Sequence, residues 1–128
     1  MTAVLDASAI LALLLAEQGS DAVLDHLANA HLGTVNMSEA IAKLAERGIP
    51  AEQTRQQIDR LELHIHDFDP DLAERTASLR PPTKPLGLSL GDRACLALAL
   101  RLGLPVLTAD RRMAEADKLV GLRIETIR

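Results

Sequence analysis

The chain has 128 residues, which fits one domain (1–128) that is large enough to bury a core. One Phe and no Trp or Tyr leave no aromatic platform for stacking bases, and a net charge of −4 argues against a broad DNA-coating role. The single Cys95 excludes an internal disulfide, and the longest apolar run, 7–16, is too short to span a bilayer. We therefore expect a soluble cytoplasmic protein without a signal peptide or membrane partner.

Short apolar segments alternate with helical patterns along the whole chain. Strands are predicted at 3–5, 31–35, 63–66, 105–108 and 122–127. Helices are predicted at 7–17, 20–30, 36–46, 51–61, 71–79, 93–102 and 110–118, and an irregular ordered loop beside the site at 80–88. This alternation predicts an α/β fold: a three-layer α/β/α sandwich around a mostly parallel sheet of four to five strands.

Four acids stand at predicted strand-to-helix junctions or in first helical turns. They are Asp6, Glu39, Asp92 and Asp110. Ligands of open α/β sheets bind at the carboxyl ends of the strands, so we expect these acids to share one sheet edge. Two carboxylates about 4 Å apart repel by about 4 kcal/mol at an effective dielectric of 20, so such a cluster needs protons, basic groups or a divalent cation.

Oxygen ligands without His or Cys beside them favour Mg²⁺ or Mn²⁺ over Zn²⁺. Mg²⁺ held by carboxylates is the usual machinery of phosphodiester hydrolysis. Each acid also has a structural interpretation, because acids at helix N-termini are favoured by the dipole and by capping. Ser20 is predicted to cap the second helix, Ser89-x-x-Asp92 matches a capping box, and Asn36-x-x-Glu39 resembles one.

Four segments together carry a family resemblance. They are Val4-Leu5-Asp6-Ala7-Ser8-Ala9, Met37-Ser38-Glu39-Ala40, Leu90-Gly91-Asp92-Arg93-Ala94-Cys95-Leu96-Ala97 and Leu107-Thr108-Ala109-Asp110-Arg111-Arg112. In order and spacing they resemble the PIN-domain ribonucleases, in particular the small VapC-type toxins of bacterial toxin–antitoxin pairs. The likeness runs nearly end to end. Met113 departs from it, since relatives often carry an aromatic there.

The resemblance implies roles for the acids. Asp6 and Asp92 would be the principal Mg²⁺ ligands, Glu39 would complete the site and orient the attacking water, and Asp110 would bind a second ion or support the first. Ser8 and Thr108 match polar positions that hydrogen-bond the acids or the substrate. It also implies cleavage of structured RNA, a homodimer, and a cognate antitoxin whose C-terminal segment fills the active-site groove.

Other residues each have two interpretations. Arg93, Arg111 and Arg112, with Lys84, are candidates for phosphate contacts or for simple pairing with carboxylates. His64 and His66 are either a pair of metal ligands or the exposed face of an edge strand, and no third metal ligand is evident in the sequence. Cys95 is a core residue or a reactive thiol, and helix 51–61 is solvated or faces RNA or the antitoxin.

Two alternative functions stay open at this point. One is a catalytically silent PIN-like module that binds RNA or a partner protein. The other is a Mg²⁺-dependent phosphatase or phospho-acceptor domain, although Ser8 stands where a dehalogenase-like site has its second Asp.

Overall fold

Five short strands form the centre of the molecule in the computed structural model, which describes residues 2–128. They are β1 (Val4–Leu5), β2 (His31–Gly33), β3 (His64–His66), β4 (Val106–Thr108) and β5 (Ile124–Thr126). All pairings are parallel, and the order across the sheet is β3-β2-β1-β4-β5. The predicted fold class is confirmed, and 63–66 is an edge strand as expected.

Nine α-helices connect the described strands. They are α1 (Ala7–Leu14), α2 (Ser20–Asp25), α3 (Thr34–Glu46), α4 (Ala51–Arg60), α5 (Pro70–Ser78), α6 (Arg80–Thr83), α7 (Leu90–Leu102), α8 (Arg111–Ala114) and α9 (Asp117–Val120). None of the helices within residues 2–128 is long and apolar enough to cross a membrane.

Two aliphatic clusters cover the two faces of the sheet. Leu5 and Leu107 belong to the cluster that contains buried residues of α1 and α3. Val4 and Val106 belong to the opposite cluster, with buried residues of α5 and α7. Because successive side chains of a strand point to opposite faces, this alternation places helices on both sides. Each fully buried aliphatic side chain contributes roughly 1.5–3 kcal/mol.

The register brings the ends of the central strands to one level. Leu5 is the partner of Leu32 on one side and of Leu107 on the other. The chain runs from β1 to β2 and β3 in one direction, and β4 and β5 lie on the opposite side of β1. The crevice at such a reversal of strand order is the expected ligand position. Asp6 follows β1 at this point.

Two predictions for the second half of the chain were wrong. Residues 80–88 are not an irregular loop, because α6 and a 3₁₀ turn, Lys84–Leu86, fill most of the segment. Pro81 fits in the first turn of a helix, where its missing N–H is not needed. The predicted helix 110–118 is two short helices, and Asp117 at the break accepts a hydrogen bond from the Lys118 N–H.

Boundaries in the first half also differ from those predicted. α2 ends at Asp25 rather than at 30, because residue 31 must enter the sheet, where its N–H donates to the Ala3 carbonyl. The N-cap of α2 is Gly19 rather than Ser20. Gly19 has a φ of +98°, and a Cβ there would lie 2.7 Å from the Ile127 carbonyl oxygen, so no other residue fits.

Candidate active site

Asp6 lies at the carboxyl end of β1 and is the N-cap of α1. Its side chain is buried, with 4% exposure. The Ser8 hydroxyl (2.6 Å) and the Ala9 N–H (2.9 Å) donate to Oδ1, and the Thr108 hydroxyl donates to Oδ2. Three donors from two segments of the chain therefore hold this carboxylate in one orientation.

Burial raises the pKa of Asp6 to about 6, from an ordinary value of 3.8. The hydrogen bonds from Ser8, Thr108 and Ala9 act in the opposite direction, and the negative charge of Asp92 adds to the increase. Desolvation outweighs the three donors because the carboxylate has lost almost all its contact with water.

Ser8 and Thr108 join the end of β1 to the end of β4. Besides donating to Asp6, the Ser8 hydroxyl accepts a hydrogen bond from the Ala109 N–H at 2.8 Å. The Thr108 hydroxyl accepts one from the Asp110 N–H at 3.0 Å. The two polar residues expected beside the acids therefore also shape the loop that carries Asp110.

Asp92 and Asp110 each use one oxygen as a helix cap. Oδ2 of Asp92 accepts from the Ser89 N–H at 3.0 Å, while the Ser89 hydroxyl accepts from the Asp92 N–H at 3.1 Å, which completes the predicted capping box. Oδ1 of Asp110 accepts from the Arg112 N–H at 2.9 Å. Within residues 2–128, Oδ1 of Asp92 has no hydrogen-bond donor, and Oδ2 of Asp110 has only an exposed ion pair with Arg112 at 3.9 Å, so capping and site formation are compatible.

Glu39 lies inside α3, not at its start. The helix begins at Thr34, with Gly33 as N-cap and no side-chain cap, so the capping box expected at Asn36 is not formed. Instead, Nδ2 of Asn36 donates to Oε1 of Glu39 at 2.8 Å. Burial raises the pKa of Glu39; Asn36 lowers it and the charge of Asp92 raises it further.

One cleft contains all four predicted acids. Its volume is about 190 Å³, and it is lined by Asp6, Ala7, Ser8, Leu11, Asn36, Glu39, Lys43, Asp92 and Asp110.

The Cys95 thiol has a pKa well above its ordinary value. Burial is the main cause, and the negative charges of Asp6, Asp92 and Glu39 add to it. Cys95 has no exposed surface, which confirms the core interpretation. The N-termini of α1 and α7 also carry acids of the cleft, where helix dipoles favour negative charge.

The cleft has the ligand chemistry of a hard cation. Among the described residues, four carboxylates, a hydroxyl and an amide line it, with no imidazole or thiol, and Lys43 is the single basic side chain of the lining. Within residues 2–128, however, no three His, Cys, Asp or Glu side chains are placed closely enough to hold an ion. The residues fit Mg²⁺ by type, charge and shared location, and a bound ion would neutralise the excess negative charge.

The predicted basic residues lie outside the cleft lining. Arg93 turns towards α5, where Nη1 donates to the Thr76 carbonyl at 3.2 Å, and its Nε is buried without a partner among the described residues. Arg111 and Arg112 are exposed, and Nη2 of Arg112 is 3.9 Å from Oδ2 of Asp110. Lys84 is exposed on the 3₁₀ turn, and α4 is mostly exposed.

A third histidine lies beside His64 and His66, although the three are not placed closely enough to hold an ion among the described residues. Nδ1 of His31 is 2.8 Å from Nε2 of His66, and the His31 and His64 rings stack with centroids 4.8 Å apart. His31 and His64 are register partners in adjacent strands, so only the strand pairing could reveal this cluster.

Two cleft residues were missed from the sequence. Asn36 and Lys43 lie three residues before and four residues after Glu39, and this spacing places them on the same face of one helix. That periodicity was the signal available for finding them once Glu39 was chosen.

The fold and the site together define a parallel α/β/α protein with an acidic cleft at the carboxyl ends of its central strands. The sequence profile of the PIN domain matches residues 3–119, so the chain belongs to the PIN-domain family. This confirms the family resemblance drawn from the four segments.

Several solved structures share this fold over nearly the whole chain. A toxin–antitoxin complex from Klebsiella pneumoniae is 18% identical, with a TM-score of 0.74 over 99% of this chain and 98% of that chain. DNA-bound VapBC from Salmonella typhimurium is 21% identical, with a TM-score of 0.74 over 100% of both chains. FitAcB from Neisseria gonorrhoeae is 20% identical, with a TM-score of 0.70 over 98% of both. Among curated protein sequences there is no match.

Proposed function

We propose that this chain is a Mg²⁺-dependent endoribonuclease, the toxin component of a type II, VapBC-type toxin–antitoxin pair. It would hydrolyse phosphodiester bonds in structured RNA, with Mn²⁺ as a substitute for Mg²⁺. The observation that carries the proposal is the single cleft, at the carboxyl ends of β1 and β4, lined by Asp6, Glu39, Asp92 and Asp110.

Asp6 and Asp92 would hold the ion, and Asp110 would support it or hold a second one. The ion would activate water and stabilise the charge that develops on the phosphate. Glu39 would orient the attacking water through Oε2, the oxygen that Asn36 leaves unused, and its raised pKa suits a proton acceptor. Lys43 in the cleft, and the exposed Arg111 and Arg112 beside Asp110, would contact RNA phosphates, whereas Arg93 is turned towards α5.

The proposed partners follow from the fold relatives. The Salmonella and Klebsiella relatives are parts of toxin–antitoxin complexes, so a cognate antitoxin would occupy the cleft and block RNA. A homodimer is proposed because Leu11, Leu13 and Leu14 of α1 are only partly buried within one chain. The protein would act in the cytoplasm, where its RNA substrates are.

Substitution of the two central acids tests the proposal. Asp6→Asn and Asp92→Asn keep the side-chain shape, so both proteins should fold and lose roughly 100-fold or more of Mg²⁺-dependent RNA cleavage, because ligand charge is removed. Asp59→Asn, an exposed acid on α4, is the matched control and should keep full activity. If both variants cleave RNA at the wild-type rate in Mg²⁺, the assignment falls.

A non-cutting RNA- or partner-binding module is the second candidate. It is favoured by the separation of the carboxylates, because no three of them among the described residues are close enough to hold one ion. RNA binding by a chain that cuts no RNA in either Mg²⁺ or Mn²⁺ would support it. The phospho-acceptor alternative has less support, because Ser8 stands where a dehalogenase-like site has its second Asp, and the Ser8 hydroxyl donates to Asp6.

A further inference from the structure

We infer that Asn36 and Gly91 are positioning residues that together place the Glu39 carboxylate beside Asp92. This inference rests on the proposed nuclease function and names two residues that determine the geometry of its site. Neither residue carries a charge, and neither belongs to the acidic quartet.

Asn36 ties α3 to the first turn of α7. Its side chain is buried, with 2% exposure. Nδ2 donates to Oε1 of Glu39 at 2.8 Å and also to the Gly91 carbonyl at 3.1 Å. One amide group therefore bridges the carboxylate of one helix and the backbone of another, which fixes the distance between them.

Gly91 leaves the space in which the Glu39 carboxylate lies. A Cβ at this position would be 2.2 Å from Oε2, 2.3 Å from Cδ and 2.3 Å from Oε1 of Glu39. Gly91 is inside α7, where Ala is the better helix former, so helix formation itself gives no reason for a glycine here. The glycine is needed because the Glu39 carboxylate approaches the backbone at position 91, which is one residue before Asp92.

An added methyl group would displace Glu39 without disrupting the fold. The three nearest atoms are all at the flexible end of the Glu39 side chain, so that end can swing away while both helices keep their places. The carboxylate would then lose its hydrogen bond from Asn36 and move away from Asp92. Gly91→Ala should therefore reproduce the loss of Glu39 in a chain that still has the glutamate.

RNA cleavage at saturating Mg²⁺ tests this in a double-mutant cycle. Gly91→Ala and Glu39→Ala should each lower kcat by about 10- to 100-fold, and the double variant should be no worse than Glu39→Ala alone, because both act through one carboxylate. Gly33→Ala is the control: its added Cβ would lie 3.5 Å from Leu98 and 3.7 Å from Oδ1 of Asn36, both ordinary contacts that leave the donating Nδ2 in place, so kcat should stay unchanged.

Asn36 is tested by reversing its hydrogen bond. Asn36→Asp keeps the shape but replaces the donor with an acceptor that repels Glu39, so it should lower kcat and thermal stability. Adding Glu39→Gln lets the new amide donate to the carboxylate introduced at position 36, which should recover part of the lost stability and none of the lost kcat, because the Gly91 carbonyl still lacks its donor. A structural role of Asn36 that is independent of Glu39 would leave stability unrestored, and that result would overturn its part of the inference.

The ¹³C resonance of the Glu39 carboxyl separates failure of the inference from failure of the function. A resonance that moves in Gly91→Ala but not in Gly33→Ala supports positioning, whatever the activity. Wild-type kcat and an unmoved resonance in Gly91→Ala would overturn the inference while the nuclease function stands. If the wild-type chain shows no Mg²⁺-dependent cleavage, or Glu39→Ala keeps it in full, the proposed function is what fails.

Discussion

Asp6 shows how burial and hydrogen bonding compete at one carboxylate. Three donors stabilise its charged form, yet burial keeps its pKa at about 6. In the unfolded chain this carboxyl ionises at its ordinary value, 3.8. The folded state therefore binds more protons than the unfolded state between these two values, and the contribution of Asp6 to stability is present in full below 3.8 and lost as the pH rises through about 6.

Asp6→Asn should accordingly stabilise the fold at neutral pH in the absence of divalent ions. Asn is neutral at every pH, so it removes the cost of a buried charge, which is on the order of 1–3 kcal/mol for this shift. Urea unfolding in EDTA between about pH 4 and pH 8 measures the free energy of unfolding of both proteins. The difference between the variant and the wild type should become smaller as the pH falls. A variant that is less stable than wild type at the alkaline end would contradict the burial argument.

At the scale of the elements, the edge of the sheet brings three histidines together. β2 and β3 pair so that His31 meets both His64 and His66. Burial lowers the pKa of His31, and the neighbouring His66 and His64 lower it further. Burial also lowers the pKa of His66, with contributions from Arg101 and His64. Partial burial and the nearby positive charges therefore both disfavour protonation of His31 and His66.

This cluster should make the fold sensitive to mild acid. As the pH falls through 6.5, the unfolded chain takes up protons that folded His31 and His66 resist, so their contribution to stability is lost. His66→Gln should reduce that loss, because it removes one such group and can still accept a hydrogen bond from His31. Urea unfolding at several pH values measures this loss of stability. Both proteins should carry Asp6→Asn, because Asp6 would otherwise contribute a pH dependence of the opposite sign. An unchanged pH dependence would show that the cluster does not resist protonation.

At the scale of the whole molecule, four separate segments supply one cleft. Asp6 follows β1, Glu39 comes from α3, Asp92 begins α7, and Asp110 follows β4. Parallel strands end at the same edge, and the reversal of strand order beside β1 opens the crevice there. Closing such a cleft on a cation would link these segments and oppose unfolding.

Mg²⁺ or Mn²⁺ should therefore raise the Tm of the wild-type chain. An ion at about 100 times its Kd contributes about 2.7 kcal/mol, which corresponds to a shift of several degrees in a domain of this size. The shift should grow as the pH rises through about 6, because Asp6 must lose its proton to bind metal. Thermal unfolding with each ion measures it, with Asp92→Asn as the comparison. Equal shifts in both proteins would place the ion elsewhere.

The short strands, the capping box at Ser89 and the four acids of the site were readable from the sequence. Each is a local pattern: an apolar run, a Ser-x-x-Asp spacing, a carboxylate at a junction. The errors at 80–88 and 110–118 were local too. Proline is compatible with a loop and equally with the first turn of a helix, and the Asp117 side chain can bond its own backbone and interrupt a helix, so the local sequence does not choose between these outcomes.

By itself, the sequence determined an aliphatic, parallel α/β domain with an acidic edge, because side-chain periodicity and composition act over a few residues. Only the tertiary structure decided that His31 joins His64 and His66, that Asn36 reaches Gly91, and that Gly91 makes room for the carboxylate of Glu39. These contacts join residues 33 to 55 positions apart. No local pattern encodes a contact between residues so far apart in the chain, because the contact forms only when the strands pair and the helices pack.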